Sequence, residues 1–217
     1  KSGTETTPRI LGWDAAGEII AVGPEVKSFA VGDQVFYAGD ITRSGSNSEY
    51  QLVDERIVGR MPTQLDYPAA AALPLTVITS WEGLFDRLGI SRYGDDEGKT
   101  ILIIGGAGGV GSIAIQIASK LAKLKVIATA SREESREWCL KFGANNVINH
   151  HNSLVEELTA LGINKVDYIF CLNNTDQHWA VMAKVIAPQG RICSIVETEK
   201  PVDLGALKKK SATFVWE

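Results

Sequence analysis

Thr100-Ile101-Leu102-Ile103-Ile104-Gly105-Gly106-Ala107-Gly108-Gly109-Val110-Gly111 is the stretch that decides the fold. Its first five residues are an unbroken apolar run, the pattern of a strand buried on both faces in a parallel sheet. The run passes straight into glycines, and Gly106, Gly108 and Gly111 stand in the spacing G-x-G-x-x-G. In such a loop the first glycine permits a tight turn and the second lets backbone approach a pyrophosphate. The third lets helix and strand pack closely. A helix is expected from Ser112 to Leu124, and the open amides at its start would face the phosphates with the favourable end of the helix dipole. A lone G-x-G-x-x-G is a weak signal. Between this strand and this helix, with a further strand expected at Val126 to Thr129, it points to a dinucleotide site, with Ala107, Gly109 and Val110 filling the loop.

The choice of dinucleotide is read at the end of the next strand. An acidic residue there, about 20 residues on, binds the ribose 2′-hydroxyl of NAD. This chain reads Ala128-Thr129-Ala130-Ser131-Arg132, with no carboxylate before Glu133. Ser131 and Arg132 can donate hydrogen bonds to a 2′-phosphate, and Arg132 adds charge, so NADP(H) is expected over NAD(H). Without a cofactor, Arg132 is simply a solvated residue at a helix start.

Working outward, strand and helix alternate from about Tyr67 to the end. Helices are expected at Pro68 to Leu73, Thr76 to Leu88, Glu133 to Phe142, Leu154 to Ala160 and Trp179 to Ile186. Further strands are expected at Val147-Ile148, Val166 to Leu172 and Arg191 to Val196, and Gly143 is placed to cap its helix in a left-handed conformation. The alternation predicts an α/β fold with a doubly wound parallel sheet. Residues from about Ile10 to Arg60 differ. Short β-branched runs such as Glu18 to Val22 and Gln34 to Tyr37 lie between glycines, with turn signals at Gly23-Pro24 and Gly32-Asp33, as in a meander or small barrel. The expected division is therefore 1–66 and 67–217.

Composition sets bounds on function. The 217 residues are 45% hydrophobic and 22% charged with a net charge of −4, an ordinary globular balance without a basic face for nucleic acid. No apolar stretch reaches the roughly 20 residues of a membrane span, and the first residues carry no secretory signal pattern. Cys139, Cys171 and Cys193 have no CxxC spacing and read as buried, reduced thiols of a cytoplasmic protein.

The set of motifs resembles the medium-chain dehydrogenase/reductases, in particular the quinone oxidoreductase-like branch that includes members labelled zinc-type alcohol dehydrogenase-like. The resemblance is carried by Gly12-Trp13-Asp14-Ala15-Ala16-Gly17-Glu18 with Gly23, by Val31-Gly32-Asp33-Gln34-Val35, and by Ala70 to Thr76 with Thr79-Ser80-Trp81-Glu82. The glycine loop and Gly143-Ala144 with Val147-Ile148-Asn149 complete it. It implies a Rossmann-type cofactor domain with a partial GroES-like β-barrel, truncated at both ends. It further implies that Thr79 touches the cofactor, that Ser131, Arg132 and His150 surround the 2′-phosphate, and that Leu172-Asn173 and Ser194 to Val196 line the nicotinamide pocket. His150 stands where many relatives carry tyrosine. A surface histidine and ordinary strand-end turns are the plainer readings of these last positions.

Zinc-dependent relatives place histidine and glutamate after the glycine corresponding to Gly12, and four cysteines in a lobe beyond the Gly-Asp-x-Val turn. Here Trp13 and Asp14 follow Gly12, and the segment from Phe36 to Tyr50 has no cysteine. Indole nitrogen offers no lone pair to a metal, and His150, His151 and His178 have no plausible ligand spacing, so no metal is expected. Without a Lewis acid the chemistry must rest on hydrogen-bond donors and hydride geometry, which suits quinones and α,β-unsaturated carbonyls. Tyr50 and Asp14 fall in the right region for a proton donor, and each has an equally good structural reading. The expectation is thus a zinc-independent NADPH-dependent oxidoreductase, inactive as this piece alone, with a small carbonyl or quinone substrate, no nucleic-acid or membrane partner, and homodimerisation implied by the family. The alternatives are a zinc-type alcohol dehydrogenase and a non-catalytic NADP-binding protein.

Overall fold

The computed structural model describes residues 8–217. Two compact units divide the chain, one ending at Thr76 and the other comprising Val77–Glu217. The first seven residues, where the expected 1–66 segment begins, lie outside the described part.

In the first unit, strands β1 (Asp14–Glu18), β2 (Gln34–Ala38) and β3 (Gly59–Arg60) form an antiparallel sheet in that order. The expected strand Glu18–Val22 is displaced: the paired segment is Asp14–Glu18, in register from Asp14↔Ala38 to Glu18↔Gln34. Pairing reaches Ile19, whose amide and carbonyl meet Asp33 O and Gly32 N at 3.0 and 2.8 Å. There the opposite strand turns away at Gly32, whose φ of +92° is a left-handed conformation that favours glycine. Among the described residues the β-branched residues beyond it pair with no strand, and Ile20 and Val22 stay exposed. Helix α1 (Tyr67–Ala71) follows, its first turn capped by Asp66, which accepts a hydrogen bond from Ala69 N at 2.9 Å.

Helix α2 (Pro74–Trp81) carries the division between the units and continues as a π-helical turn, Glu82–Arg87, where a plain helix to Leu88 was expected. Gly83 lets this turn lie on the Phe170 ring, because a Cβ there would come within 2.4 Å of it.

The second unit is built on six parallel strands: β4 (Thr100–Ile104), β5 (Lys125–Thr129), β6 (Asn146–Ile148), β7 (Val166–Cys171), β8 (Ile186–Ser194) and β9 (Thr213–Trp216). Their spatial order is β6-β5-β4-β7-β8-β9. Numbered within the unit this is 3-2-1-4-5-6, the order of a dinucleotide-binding sheet, and it reverses between β4 and β7. Helices α3 (Gly109–Gln116), α4 (Glu133–Phe142), α5 (Leu154–Ala160), α6 (Thr175–Val185) and α7 (Gly205–Lys208) complete it. Alternate residues of β4 serve opposite layers: Ile101 and Ile103 pack with α3 and α4, and Leu102 and Ile104 with α5 and α6. This explains why the strand reads as a continuous apolar run. Each of these four side chains is at most 1% exposed and contributes on the order of 1.5–3 kcal/mol of transfer free energy.

Helices α4 and α5 have the bounds expected from sequence, and Gly143 caps α4 with φ +113°, its amide donating to Leu140 O at 3.0 Å. Other boundaries differ. Helix α3 starts at Gly109 rather than Ser112 and passes at Ile117–Leu121 into a π-helical turn. Helix α6 starts at Thr175 rather than Trp179, because Asn174 caps it by accepting from Gln177 N at 3.1 Å. Strand β8 begins at Ile186 and ends at Ser194. Edge strand β9 had no distinguishing sequence pattern; its pairing with β8 (Ile192↔Phe214, Ser194↔Trp216) creates it. No helix among the described residues is long and apolar enough to cross a membrane.

Candidate functional site

The carboxyl end of β4 opens into the glycine loop beside the point where strand order reverses. The tight turn is made by Gly105, with φ +88°, and not by Gly106, the position the motif assigns to it. The reason is packing. A Cβ on Gly106 would lie 2.7 Å from Ala128 Cβ, 3.1 Å from Cys139 Sγ and 3.3 Å from Ile115 Cδ1, so Gly106 is the point where α3, α4 and β5 converge. Thr129 fastens both residues, its hydroxyl accepting from Gly105 N at 3.0 Å and its carbonyl from Gly106 N at 3.1 Å. Gly111 serves close packing as expected, since a Cβ would meet the carbonyl oxygens of Gly105 and Gly106 at 2.5 and 2.6 Å. Gly108 is different. It caps α3 without a side chain, and only Gly105 O, at 3.5 Å, lies near its missing Cβ.

The amides of Gly109, Val110 and Gly111 form the first turn of α3 and have no intrahelical acceptor. With the partial positive charge of the helix end they make an anion cradle. Ala107 and Val110 pack on the adjoining core, and Ser80, fully buried on α2, donates to Val110 O at 3.0 Å. Thr79, half-buried, is the residue before Ser80 on that helix.

At the end of β5, Ala130 N donates to Ile148 O at 3.0 Å, which turns the chain so that Ser131 is half-buried and Arg132 exposed. Arg132 is the N-cap of α4 in extended backbone, makes no capping bond with its side chain, and has Nη2 3.5 Å from Ser135 Oγ. One turn later Arg136 donates from Nη1 to Val147 O at 2.6 Å. His150 follows β6. Its Nδ1 is shielded from solvent without a hydrogen-bond partner, and its ring centroid lies 4.7 Å from that of His151. Burial and then the neighbouring His151 hold His150 below the usual histidine range; burial and then His150 do the same for His178. Among the described residues no group of three or more His, Cys, Asp or Glu is arranged to hold a metal ion.

Leu172 and Asn173 flank the loop across the reversal point. Leu172 N donates to Ile104 O at 3.0 Å, and the missing Cβ of Gly105 would stand 3.5 Å from the Cβ of each. Ser194 does not offer its hydroxyl to a pocket. It is fully buried, 2.6 Å from Thr175 Oγ1 and 3.2 Å from Cys171 O. Val196, half-buried, accepts from Thr175 Oγ1 at 2.5 Å through its carbonyl. Thr175, which the sequence did not mark, is the organiser of this strand end.

In the first unit, Asp14 and Tyr50 line one cavity of about 650 Å³ together with Val35 and Tyr37. Asp14 accepts from Leu75 N at 2.7 Å, capping the start of α2; burial raises its pKa and that amide opposes the rise. Tyr50 is 72% exposed. The cysteine-free segment after β2 is held by backbone. Gly45 N donates to Ile10 O at 2.9 Å, Asn47 N to Leu11 O at 2.8 Å, and Ser46 Oγ to Asp14 O at 2.7 Å. Gly12, at φ +105°, permits this crossing, and a Cβ on Gly45 would strike the Leu11 carbonyl at 2.3 Å.

Comparison with known proteins matches both units. Residues 1–63 match the alcohol dehydrogenase GroES-like domain and residues 109–215 the family described as zinc-binding dehydrogenase. A zinc-type alcohol dehydrogenase-like protein of Staphylococcus aureus is 51% identical over 211 residues, covering 97% of this chain and 63% of that protein. The crystal structure of a candidate zinc-dependent alcohol dehydrogenase protein from Rhizobium etli superposes with a TM-score of 0.91 at 49% identity, over 100% of this chain and 63% of the other. Escherichia coli quinone oxidoreductase complexed with NADPH gives 0.83 at 29% identity, over 95% and 63%. The chain spans about 63% of the length of these relatives.

Proposed function

The chain belongs to the medium-chain dehydrogenase/reductase superfamily, and from that premise we propose that it forms the cofactor-binding part of an NADPH-dependent oxidoreductase that reduces quinones or α,β-unsaturated carbonyls without zinc. The observation that carries the reading is the open face of Gly108 beside the unpaired amides of α3, at the reversal point of the sheet. These residues fit a dinucleotide: the cradle is free of side chains where a pyrophosphate needs backbone, and close-packed where the loop must be rigid. A bound nicotinamide dinucleotide supplies the hydride.

The chain's own residues then bind and orient. The amides of Gly109, Val110 and Gly111 hold phosphate oxygens. Arg132, exposed and uncommitted to a cap, supplies charge for a 2′-phosphate with Ser131 and His150 beside it, and a carboxylate at its position would repel that group. Leu172 and Asn173 wall the loop on the β7 side, and Thr79 lies next to the Ser80 anchor. Zinc independence is supported by Trp13 and Asp14 in the ligand positions of zinc-dependent relatives, by the engagement of Asp14 with Leu75 N, and by a cysteine-free segment organised through backbone hydrogen bonds. This reading sets the chain's residues against the zinc in the family's description. Three free, buried cysteines suit a reducing cytoplasm.

NADPH and NADH oxidation by the whole enzyme of which this chain is the cofactor-binding part, measured with a panel of quinones, enones and simple aldehydes alongside metal analysis, tests the proposal. Faster turnover of conjugated acceptors with NADPH, undiminished by chelator, is expected. Stoichiometric zinc required for alcohol oxidation would replace it with the zinc-type alcohol dehydrogenase reading.

A further inference from the structure

Trp138 stands on the outer part of α4 and is 44% exposed, yet its one polar atom is bonded within the protein. Indole Nε1 donates to Ser112 Oγ at 2.8 Å, and Ser112 Oγ donates to Gly108 O at 2.7 Å. The direction of this relay follows from chemistry. Indole N–H can only donate, and a hydroxyl has one proton to give and lone pairs to receive. Ser112 N also donates to Gly108 O at 2.9 Å, so this carbonyl is held twice. The indole is itself fixed, edge-on to Phe142 with ring centroids 4.7 Å apart and with Lys141 Nζ 5.9 Å from its centroid.

We propose that Trp138 is a positioning residue of the phosphate cradle: through the Ser112 hydroxyl it fixes the Gly108 carbonyl and so the open amides of Gly109, Val110 and Gly111. The proposal rests on the reading of the glycine loop as a dinucleotide site. Its physical basis is the loop's composition. Gly105, Gly106, Gly108, Gly109 and Gly111 leave the backbone unusually free, and a free loop must be ordered when an anion binds. Gly106 and Gly111 are restrained by crowding. Gly108 meets only Gly105 O, at 3.5 Å, on its Cβ side, so its restraint comes from hydrogen bonds, from its amide to Gly105 O at 3.2 Å and to its carbonyl, which is the atom the relay reaches.

Two variants test this. Trp138→Phe keeps a ring against Phe142 and removes the donor; Ser112→Ala breaks the same relay from the other side. Each is expected to weaken NADPH binding about three- to tenfold, the worth of one neutral hydrogen bond, and the double variant to lose no more than either single one. Hydrogen exchange of the Ser112 amide, which donates to Gly108 O, should accelerate in both in the cofactor-free protein, while amides of β4 stay protected. Unchanged affinity and exchange in both variants, or losses that add in the double variant, would overturn the relay. Wild-type protein that binds neither NADPH nor NADH would instead remove the dinucleotide reading, and the proposal with it.

Discussion

Thr175 Oγ1 and Ser194 Oγ lie 2.6 Å apart with both residues fully buried, joining the first turn of α6 to the end of β8. Thr175 Oγ1 donates its one proton to Val196 O and therefore accepts from Ser194 Oγ, which also lies 3.2 Å from Cys171 O. The pair therefore ties β7, β8 and α6 together beside the reversal point. Thr175→Val preserves volume and takes from the Val196 carbonyl and the Ser194 hydroxyl a partner in a fully buried site. The expected cost is about 1–3 kcal/mol, read as a lowered urea midpoint with an unchanged slope. A midpoint equal to that of wild type would refute the role.

The glycines of the loop should separate by phenotype. Gly106→Ala forces a Cβ to 2.7 Å from Ala128 Cβ in a close-packed junction, so the protein is expected to lose roughly 1–3 kcal/mol of stability. Gly108→Ala meets nothing nearer than 3.5 Å and should melt near the wild-type temperature while binding NADPH at least about tenfold more weakly, because its methyl group stands where phosphate approaches backbone. Calorimetry of each variant with and without NADPH distinguishes the two. Equal behaviour in both assays would count against the division of labour.

Arg132→Ala should weaken NADPH binding by about ten- to a hundredfold, the range for a charge-assisted hydrogen bond. NADH affinity should hardly change. The wild-type preference should also fall with rising salt, since Arg132 is exposed. An unaltered ratio of the two affinities would assign 2′-phosphate recognition elsewhere.

Asp96 gives the fold a sensitivity to acid. It is 7% exposed, and burial alone would raise its pKa; Lys99 Nζ at 2.6 Å, Ser91 N at 2.6 Å and Tyr168 OH at 2.9 Å outweigh that and hold it below the usual carboxylate range. A carboxyl whose folded pKa is depressed stabilises the protein above its unfolded pKa, and that stability is lost as pH falls through the folded value. Urea midpoints should thus decline below about pH 4. Asp96→Asn should be less stable at neutral pH, with the gap to wild type narrowing in acid. A constant gap would show that the carboxylate charge is not the cause.

Much of the cofactor unit was legible in the sequence. Helices α4 and α5 and the left-handed Gly143 follow from apolar spacing and from glycine's tolerance of positive φ, both properties of neighbouring residues. The apolar run of β4 announced a strand covered on both sides for the same reason. The boundaries that moved depended on partners. Ile20 and Val22 have strand-forming side chains but pair with no strand among the described residues, and β9 has little pattern of its own but pairs along β8.

The glycine spacing and the Ser131-Arg132 pair could be read directly from the sequence as pointing to a dinucleotide loop and a phosphate on it, because the motif is contiguous and its chemistry local. Tertiary structure alone decided which glycine does what. Gly105 makes the turn because Ala128, Ile115 and Cys139, from three other elements, crowd Gly106. It also withdrew the Ser194 hydroxyl into a buried bond with Thr175, engaged Asp14 with Leu75 N, and brought Trp138 to Ser112 across 26 positions of sequence. Backbone preference and periodicity act over a few residues and are written in their order. Which polar atoms find each other depends on how the chain packs, and that is set only when all the elements are in place.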